Sequence, residues 1–598
     1  MARMLHPGAR GRGLLWAVLA PKVLVSLALA ALLFEPACDR QGAGPRPKGE
    51  PPVGEMREGQ AKTGPGLGDP LAEPPRRREE AEPARRREEA EPTRRREEAE
   101  RRARPARGAQ AAEGLTPLEA PLPPRPRMLV VTRPMFERAI APLVAHRRGQ
   151  GFEVEVTTRP VSLAMADARR KPPQFLLLVG DWRAGAQSEP WAVPSRESRL
   201  YRWHGGQRET FAADALWGDL DGDGWPEVPL GRIPARTARE AELVARKILA
   251  FEKQAPDAGG LKLPIWAGAP GYGPLVDSLA TSALVAVAQG ELPAWAEPWL
   301  QSGDPGHALC GWPESQVEAW NARLGRPALM GLMVGHGREE SFHSMALGGR
   351  SFDYRVQDAF PLDKPGRVFP PMVVLTCSSG RFDGERQSLA ERLLFAGSGP
   401  VAVVAATTES HPVTNYYTGV EVARAMGRSE RRLGRMWLAA QRRARAGENI
   451  LVEQALLGSE GSLEKRISLG SLRRDQERMY ALLGDPATLV PLPAPLDAKI
   501  ERTAEGLHWK VERPEGAAVL ELGFRPRGLA FPPARQGSRA LAEATREEAN
   551  ALFAFRSLLR RSASEAWEGT LRPEGPGTLR FVALTDRGIH AAAQDVKP

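Results

Sequence analysis

The feature that most constrains the fold is an alternation of short apolar runs with helix-length amphipathic segments between residues 128 and 495. Runs such as FLLLV, GLMV, MVVL and VAVVAA are continuously apolar, which is typical of strands covered on both faces. Capping boxes predict three helix starts, at Thr237 with Glu240, Ser315 with Glu318 and Ser388 with Glu391. The sequence therefore predicts an α/β fold built on a doubly covered, mostly parallel sheet.

The N-terminal part of the chain differs in composition from the rest and predicts an export segment followed by a linker. Several arginines precede an apolar stretch, and small Ala37 comes directly before Cys38. Residues 1–38 therefore predict export and resemble a bacterial lipoprotein signal, with plain secretion and an uncleaved anchor as alternatives. Residues 39–127 contain nine-residue repeats such as RRREEAEPA, have few large apolar side chains and predict a disordered linker.

The net charge and the cysteine content exclude two classes of protein. The formal net charge is +10, but many of the arginines lie in the low-complexity repeats, where they are interleaved with glutamates. No nucleic-acid-binding motif accompanies them, so we expect no nucleic-acid partner. The three cysteines, Cys38, Cys310 and Cys377, are too few for a disulfide framework or a structural zinc site.

Two of the apolar runs end at reactive side chains that lie next to glycine. The run LMVGHG delivers His336, and MVVLTCSSG delivers Cys377. In sheets of this kind ligands bind beyond the carboxyl ends of the strands, so both side chains are expected at that edge. A histidine can take the proton of a thiol, and the thiolate can then attack a carbonyl carbon. The backbone N–H groups of Gly337 and Cys377 are candidate donors to the resulting oxyanion.

Each of these two side chains has an ordinary interpretation when it is taken alone. A lone cysteine in an apolar strand is usually an inert core residue, and a loop histidine is usually satisfied by its neighbours. His343 and His411 are alternative bases, although we expect both to lie on the surface or in a substrate cleft. The proposed pair therefore depends on His336 and Cys377 lying at adjacent strand ends.

The loop DLDGDG is a second candidate site. Asp219, Asp221 and Asp223 lie at alternate positions, and Glu227 follows, so the loop has the density of oxygen ligands that calcium prefers. The loop lacks the final glutamate of an EF-hand, since Leu230 occupies that position. We expect either a structural calcium site or a charged turn.

The same stretches, taken with their neighbours, resemble the gingipain family of cysteine peptidases. The resemblance rests on GHG, on C-x-x-G-x-F-D after a strand, on SLAERLL and on GSGPVAVVAAT. It extends upstream to FLLLVGD and to DLDGDGWPEVPLGRIPARTAREAELVARKILAFE, and downstream to MYALLGDPATLV. It therefore covers residues 128–495, in the order that the family has.

The resemblance implies a caspase-like fold, with Cys377 as nucleophile and His336 as general base of a cysteine endopeptidase. It makes Asp277 a candidate substrate-binding residue, because arginine-specific members keep an acid nearby that selects a basic P1 side chain; the alternative is that Asp277 caps a helix. Gingipains also carry an acid after the strand matching LPIWAGA, where this chain has Pro270. We expect protein or peptide substrates and no cofactor required for catalysis.

The resemblance also gives the expected domains. Residues 128–260 should form an N-terminal α/β subdomain, residues 261–495 the catalytic subdomain, and residues 496–598 a β-rich, sandwich-like domain. A lipid or signal anchor would hold the protein at the cell envelope, and a cleaved signal would release it outside the cell. Two alternatives remain: a non-catalytic surface binding protein on the same fold, and a transpeptidase that uses the same two residues.

Overall fold

The computed structural model describes residues 118, 120–200, 210–255, 257–269, 274–449 and 469–597. The expectations for residues 1–38 and for most of the linker lie outside these ranges. Up to residue 483 the strands are, in chain order, β1 (Arg127–Val131), β2 (Glu153–Thr157), β3 (Phe175–Val179), β4 (Glu197–Arg199), β5 (Thr210–Ala212), β6 (Leu230–Ile233), β7 (Lys262–Ala267), β8 (Glu297–Ser302), β9 (Gly331–Val334), β10 (Gly337–Arg338), β11 (Ser341–Leu347), β12 (Arg350–Arg355), β13 (Met372–Leu375), β14 (Val403–Ala406) and β15 (Tyr480–Leu483).

Ten of these strands form one sheet, in the order β2-β1-β3-β6-β15-β14-β13-β9-β7-β8. Neighbouring strands are parallel except for β14 and β15, which run antiparallel. The sheet therefore consists of a first half (β2, β1, β3, β6, β15) and a second half (β14, β13, β9, β7, β8) of opposite direction. Strands β3, β13 and β14 are buried along their whole length, as their continuous apolar sequences predict.

The helices lie between the strands and account for the amphipathic segments. In chain order they are α1 (Pro134–Gly149), α2 (Val161–Arg170), α3 (Ala238–Glu252), α4 (Pro274–Gly290), α5 (Gln316–Leu324), α6 (Leu389–Phe395), α7 (Pro412–Ala425), α8 (Leu433–Ala446), α9 (Leu469–Met479) and α10 (Arg539–Ala551). The prediction of a mixed α/β fold on a large, mostly parallel sheet is confirmed. Within the described ranges, none of these helices is both long and apolar enough to span a bilayer.

The structure confirms two of the three capping boxes. Thr237 accepts a hydrogen bond from the backbone N–H of Glu240, and Ser388 does the same with Glu391. The prediction at Ser315 is wrong, because a short 3₁₀ turn (Pro313–Ser315) precedes α5. Ser315 consequently has a helical backbone (φ −94°, ψ −10°) and makes no cap hydrogen bond, whereas an N-cap residue is extended.

The C-terminal part consists of two sheets packed on a common core. Its strands are β16 (Ala494–Pro495), β17 (Ala498–Thr503), β18 (Gly506–Val511), β19 (Ala517–Pro526), β20 (Arg556–Ser562), β21 (Glu568–Leu571), β22 (Gly577–Thr585) and β23 (Ile589–Val596). One sheet has the order β16-β23-β22-β19-β20 and the other β17-β18-β21. Trp509 of one sheet packs on Phe581 of the other, with ring centroids 5.9 Å apart. This is a sandwich-like arrangement, with α10 inserted before β20.

Candidate active site

The pairing of β9 with β13 brings His336 and Cys377 to the same edge of the sheet. In the parallel register Val334 pairs with Leu375, and each of the two candidate residues lies two positions beyond its strand. The backbones stay close after the strands end, because a Cβ on Gly337 would lie only 2.5 Å from Thr376 Oγ1. It would also lie 2.9 Å from the carbonyl oxygen of Cys377. Glycine is therefore required beside the histidine for the two loops to approach.

The loop that carries the thiol is a sharp, well-anchored turn. Ser378 has a φ of +56° and is the one non-glycine residue with positive φ in the described ranges. This left-handed conformation costs a β-carbon-bearing residue about 1–2 kcal/mol, so the surroundings must hold it. The backbone N–H of Ser378 donates to Thr408 O at 2.9 Å, and that of Gly380 to Ala406 O at 2.8 Å. The turn presents Cys377 at the end of its strand, although only 6% of the residue is exposed.

A buried polar network, which no sequence motif indicates, lies against the thiol. Cys377 Sγ lies 3.7 Å from both the carbonyl oxygen and Oγ of Ser410. Ser410 Oγ accepts a hydrogen bond from Asn415 Nδ2 at 2.7 Å, and Asn415 Oδ1 accepts one from the Tyr480 hydroxyl at 2.7 Å. Burial raises the pKa of Tyr480 well above its ordinary value, so the hydroxyl stays protonated and remains a donor. The network therefore links the thiol to α7 and β15.

A second imidazole, with a carboxylate partner, lies beside His336. The rings of His336 and His343 are 6.5 Å apart between centroids, and the backbone N–H of His343 donates to His336 O at 3.0 Å. His343 Nδ1 lies 2.9 Å from Asp353 Oδ1 across β11 and β12. The hydrogen bond with His343, followed by those from Ser351 and Arg355, lowers the pKa of Asp353, which is therefore ionised. The pair places a carboxylate beside His343, whose ring neighbours that of His336.

His411 occupies a different environment from the one expected. It is only 5% exposed, and its Nδ1 accepts a hydrogen bond from the backbone N–H of Val413, so the side chain caps α7. Burial lowers the pKa of His411 to about 3, and the ring stays neutral at ordinary pH. The expectation of a surface position is therefore wrong, and the His411 side chain caps α7.

The resemblance singled out two further positions: Pro270, where gingipains have an acidic residue, and Asp277, the candidate contact for a basic P1 side chain. Pro270 lies outside the described residues. Asp277 lies within α4, which begins at Pro274, so it does not cap the helix as the alternative interpretation required. The side chain of Asp277 lies outside the described part of the chain.

The four acidic residues of the DLDGDG region converge. Each of these residues has a carboxylate oxygen that lies within 4.8 Å of one from each of the others, namely Asp219, Asp221, Asp223 and Glu227. Oxygens that each lie 2.3–2.6 Å from one calcium ion have separations of this size. Backbone N–H groups of Gly222 and Gly224 and of Leu220 donate to these carboxylates. Burial, and then the neighbouring negative charges, raises the pKa of Glu227 to about 7 and also raises that of Asp219. The four residues therefore fit calcium, which would relieve this repulsion.

A thiol and an imidazole that each follow one of two neighbouring parallel strands, on loops that approach closely at Gly337, define a candidate cysteine-dependent hydrolase site on an α/β sheet. The model of peptidase family C25 matches residues 122–491, well over half of the chain. The chain belongs to peptidase family C25. This membership confirms the resemblance to gingipains and supports a cysteine peptidase with protein substrates.

Solved structures of gingipains are similar to this chain. The Arg-specific cysteine proteinase gingipain R is 14% identical, with a TM-score of 0.45, and the match covers 81% of this chain and 99% of gingipain R. The complex of Porphyromonas gingivalis RgpB pro- and mature domains is 15% identical, with a TM-score of 0.44, over 79% of this chain and 99% of that one. A comparison with curated proteins finds no match.

Proposed function

We propose that this chain is a gingipain-like cysteine endopeptidase in which Cys377 is the nucleophile and His336 the general base. The observation that carries the proposal is the matched position of the two residues beyond β9 and β13, together with the close approach at Gly337. A histidine and a thiol placed in this way can form the thiolate that peptide-bond attack requires.

In the proposed reaction His336 takes the Sγ proton and Cys377 Sγ attacks the carbonyl carbon of the scissile peptide bond. The tetrahedral oxyanion is held by the backbone N–H groups of Gly337 and Cys377. Protonated His336 then donates its proton to the leaving amine, which leaves an acyl-enzyme thioester. A water molecule, deprotonated by His336, hydrolyses the thioester and restores the free thiol.

The ionised Asp353 supports this chemistry through its position. It is paired with His343, whose ring centroid lies 6.5 Å from that of His336, and His336 becomes positively charged when it takes the thiol proton. A nearby negative charge favours that charged form. We propose that this pair contributes what the acid expected near Pro270 contributes in gingipains.

The remaining expectations for this chain are proposals of the same kind. We propose that Asp219, Asp221, Asp223 and Glu227 hold a structural calcium ion, which supplies charge neutralisation and takes no part in bond cleavage. We also propose that Asp277 contacts a basic P1 side chain. A P1 library assayed with wild type and Asp277→Asn tests this assignment, and an unchanged preference removes Asp277 from the pocket.

We propose that the protein is exported and is anchored at the cell envelope through a lipidated Cys38. Fractionation of cells that express wild type or Cys38→Ser distinguishes the possibilities. Release of the variant into the medium, with wild type in the membrane fraction, supports the lipid anchor. Equal distribution of both proteins rules it out.

Labelling with a peptidyl thiol-directed probe tests the catalytic proposal. Wild type should be labelled at Cys377 and should cleave peptides, whereas Cys377→Ala and His336→Ala should do neither. The matched control is Cys310→Ala, because Cys310 is the other cysteine in the described ranges and is also buried. If wild type and Cys377→Ala are labelled equally, the proposed function is wrong.

A further inference from the structure

A cavity lies on the side of the sheet opposite the candidate active site. It has a volume of about 200 Å³ and reaches the residues that precede β7, β9 and β13, including Gly260, Ala328 and Pro370. Because His336 and Cys377 follow the carboxyl ends of β9 and β13, this amino-edge cavity is separate from them. Its volume is below the 300–1,000 Å³ of typical drug-sized pockets, so a ligand that fills it is small.

Three arginines from separate parts of the chain line the amino-edge cavity. Arg367 precedes β13, Arg431 precedes α8, and Arg587 lies in the turn between β22 and β23 of the C-terminal part. Arg367 and Arg431 are partly buried, and Arg587 is exposed. The cavity therefore brings together positive charge from both the α/β part and the sandwich-like part.

None of these three guanidinium groups has a hydrogen-bond or ion-pair partner among the residues that the structure describes. Most buried or partly buried arginines elsewhere in the chain do, such as Arg147, which donates to Glu252 and Asp485. Burial lowers the pKa of Arg431, but an arginine side chain stays charged at neutral pH. A partly buried charge without a partner is unfavourable unless a ligand or water compensates it.

The two carboxylates at the cavity wall are too few to neutralise the three arginines, and one of them, Glu252, is already paired with Arg147. Glu252 accepts hydrogen bonds from His146 at 2.7 Å and from Arg147 at 2.8 and 2.9 Å. Asp257 Oδ1 accepts one from the backbone N–H of Gly259 at 2.8 Å and caps a 3₁₀ turn. The cavity therefore keeps an excess of positive charge.

We propose that the amino-edge cavity binds a small oxyanion with two negative charges, namely a phosphate group. Guanidinium groups are suited to such ligands, because their N–H donors match the oxygen geometry of phosphate. The bound anion would connect Arg587 of the sandwich-like part to Arg367 and Arg431 of the α/β part. The inference does not depend on the proposed peptidase activity.

Equilibrium dialysis of the full chain against radiolabelled inorganic phosphate tests the proposal. Wild type should bind one equivalent, and Arg431→Ala and Arg367→Ala should bind about tenfold more weakly or not at all, since each loses a charge-assisted contact. Arg431→Lys keeps the charge and should retain part of the affinity. The control is Arg138→Ala, an exposed arginine of α1 without a partner in the described ranges, which should bind as wild type does.

Two further arms complete the experiment. If phenyl phosphate displaces labelled phosphate at concentrations similar to those at which unlabelled phosphate does, the cavity accepts a phosphate monoester. If phenyl phosphate does not compete, the site is assigned to the free ion. Cys377→Ala should still bind phosphate, which separates this site from the proposed function. Absence of saturable binding, or binding unchanged in both arginine-to-alanine variants, overturns the proposal.

Discussion

The two buried cysteines in the described ranges should differ strongly in reactivity, and the size of the difference follows from their surroundings. Burial raises the pKa of Cys310 to about 12. At pH 7.5 the thiolate fraction of Cys310 is then about 3 × 10⁻⁵, whereas an ordinary cysteine with a pKa of ~8.5 is about one tenth thiolate. Cys310 should therefore be alkylated roughly 3,000-fold more slowly than free cysteine, before steric protection is added.

Cys377, which we propose is paired with His336, should react with iodoacetamide at least as fast as free cysteine at the same pH. The measurement is a time course followed by peptide mapping, which resolves each cysteine of the chain. Peptide-probe labelling should disappear as Cys377 is alkylated, and Cys310→Ala should follow the same course as wild type. If Cys310 reacts within tenfold of the rate of Cys377, or if probe labelling survives alkylation of Cys377, the nucleophile has been misassigned.

Three other perturbations have expected outcomes. Gly337→Ala should lower the free energy of unfolding by about 1–3 kcal/mol and slow probe labelling, because the new methyl group meets buried Thr376. Unchanged thermal unfolding and labelling would contradict this expectation. Ser410→Ala should slow probe labelling about fivefold without abolishing the labelling. This is the effect expected when one hydrogen bond of ~1 kcal/mol is lost. Because the pKa of Glu227 is raised in the folded state, the stability of the metal-free protein should fall as pH rises from about 4.5 to 7. Calcium should reverse this trend and raise Tm. An equal Tm with calcium and with chelator would refute the metal site.

The elements that follow from local sequence were predictable. Continuous apolar runs predicted β3, β13 and β14, and the capping boxes at Thr237 and Ser388 predicted the starts of α3 and α6, because strand burial and helix initiation depend on neighbouring residues. The convergence of the four carboxylates of Asp219, Asp221, Asp223 and Glu227 was also predictable, because these residues are close neighbours in the sequence. That His336 and Cys377 follow adjacent strands also required the assumption that β9 pairs with β13, which the structure bears out.

The features that were missed depend on contacts between distant parts of the chain. Ser410 lies in the loop before α7, Asn415 in α7 and Tyr480 in β15, so no spacing in the sequence indicates that Tyr480 joins the other two in one network. The local sequence of residues 544–561 favours a helix throughout, but α10 ends at Ala551 and RSLLRRS forms β20, because pairing with β19 overrides helix propensity. At Ser315 the preceding 3₁₀ turn could not be read from the capping-box pattern alone.

The position of β15 has a consequence for how the protein folds. This strand joins the two halves of the sheet, and its first residue, Tyr480, completes the polar network against Cys377. Tyr480 lies 103 residues after Cys377 (480 − 377), so it becomes available for folding later than the thiol when the chain emerges from its N-terminus. Until then the chain carries its cysteine on an unfinished sheet. Chain order therefore delays maturation of the site until almost all of the α/β part has emerged.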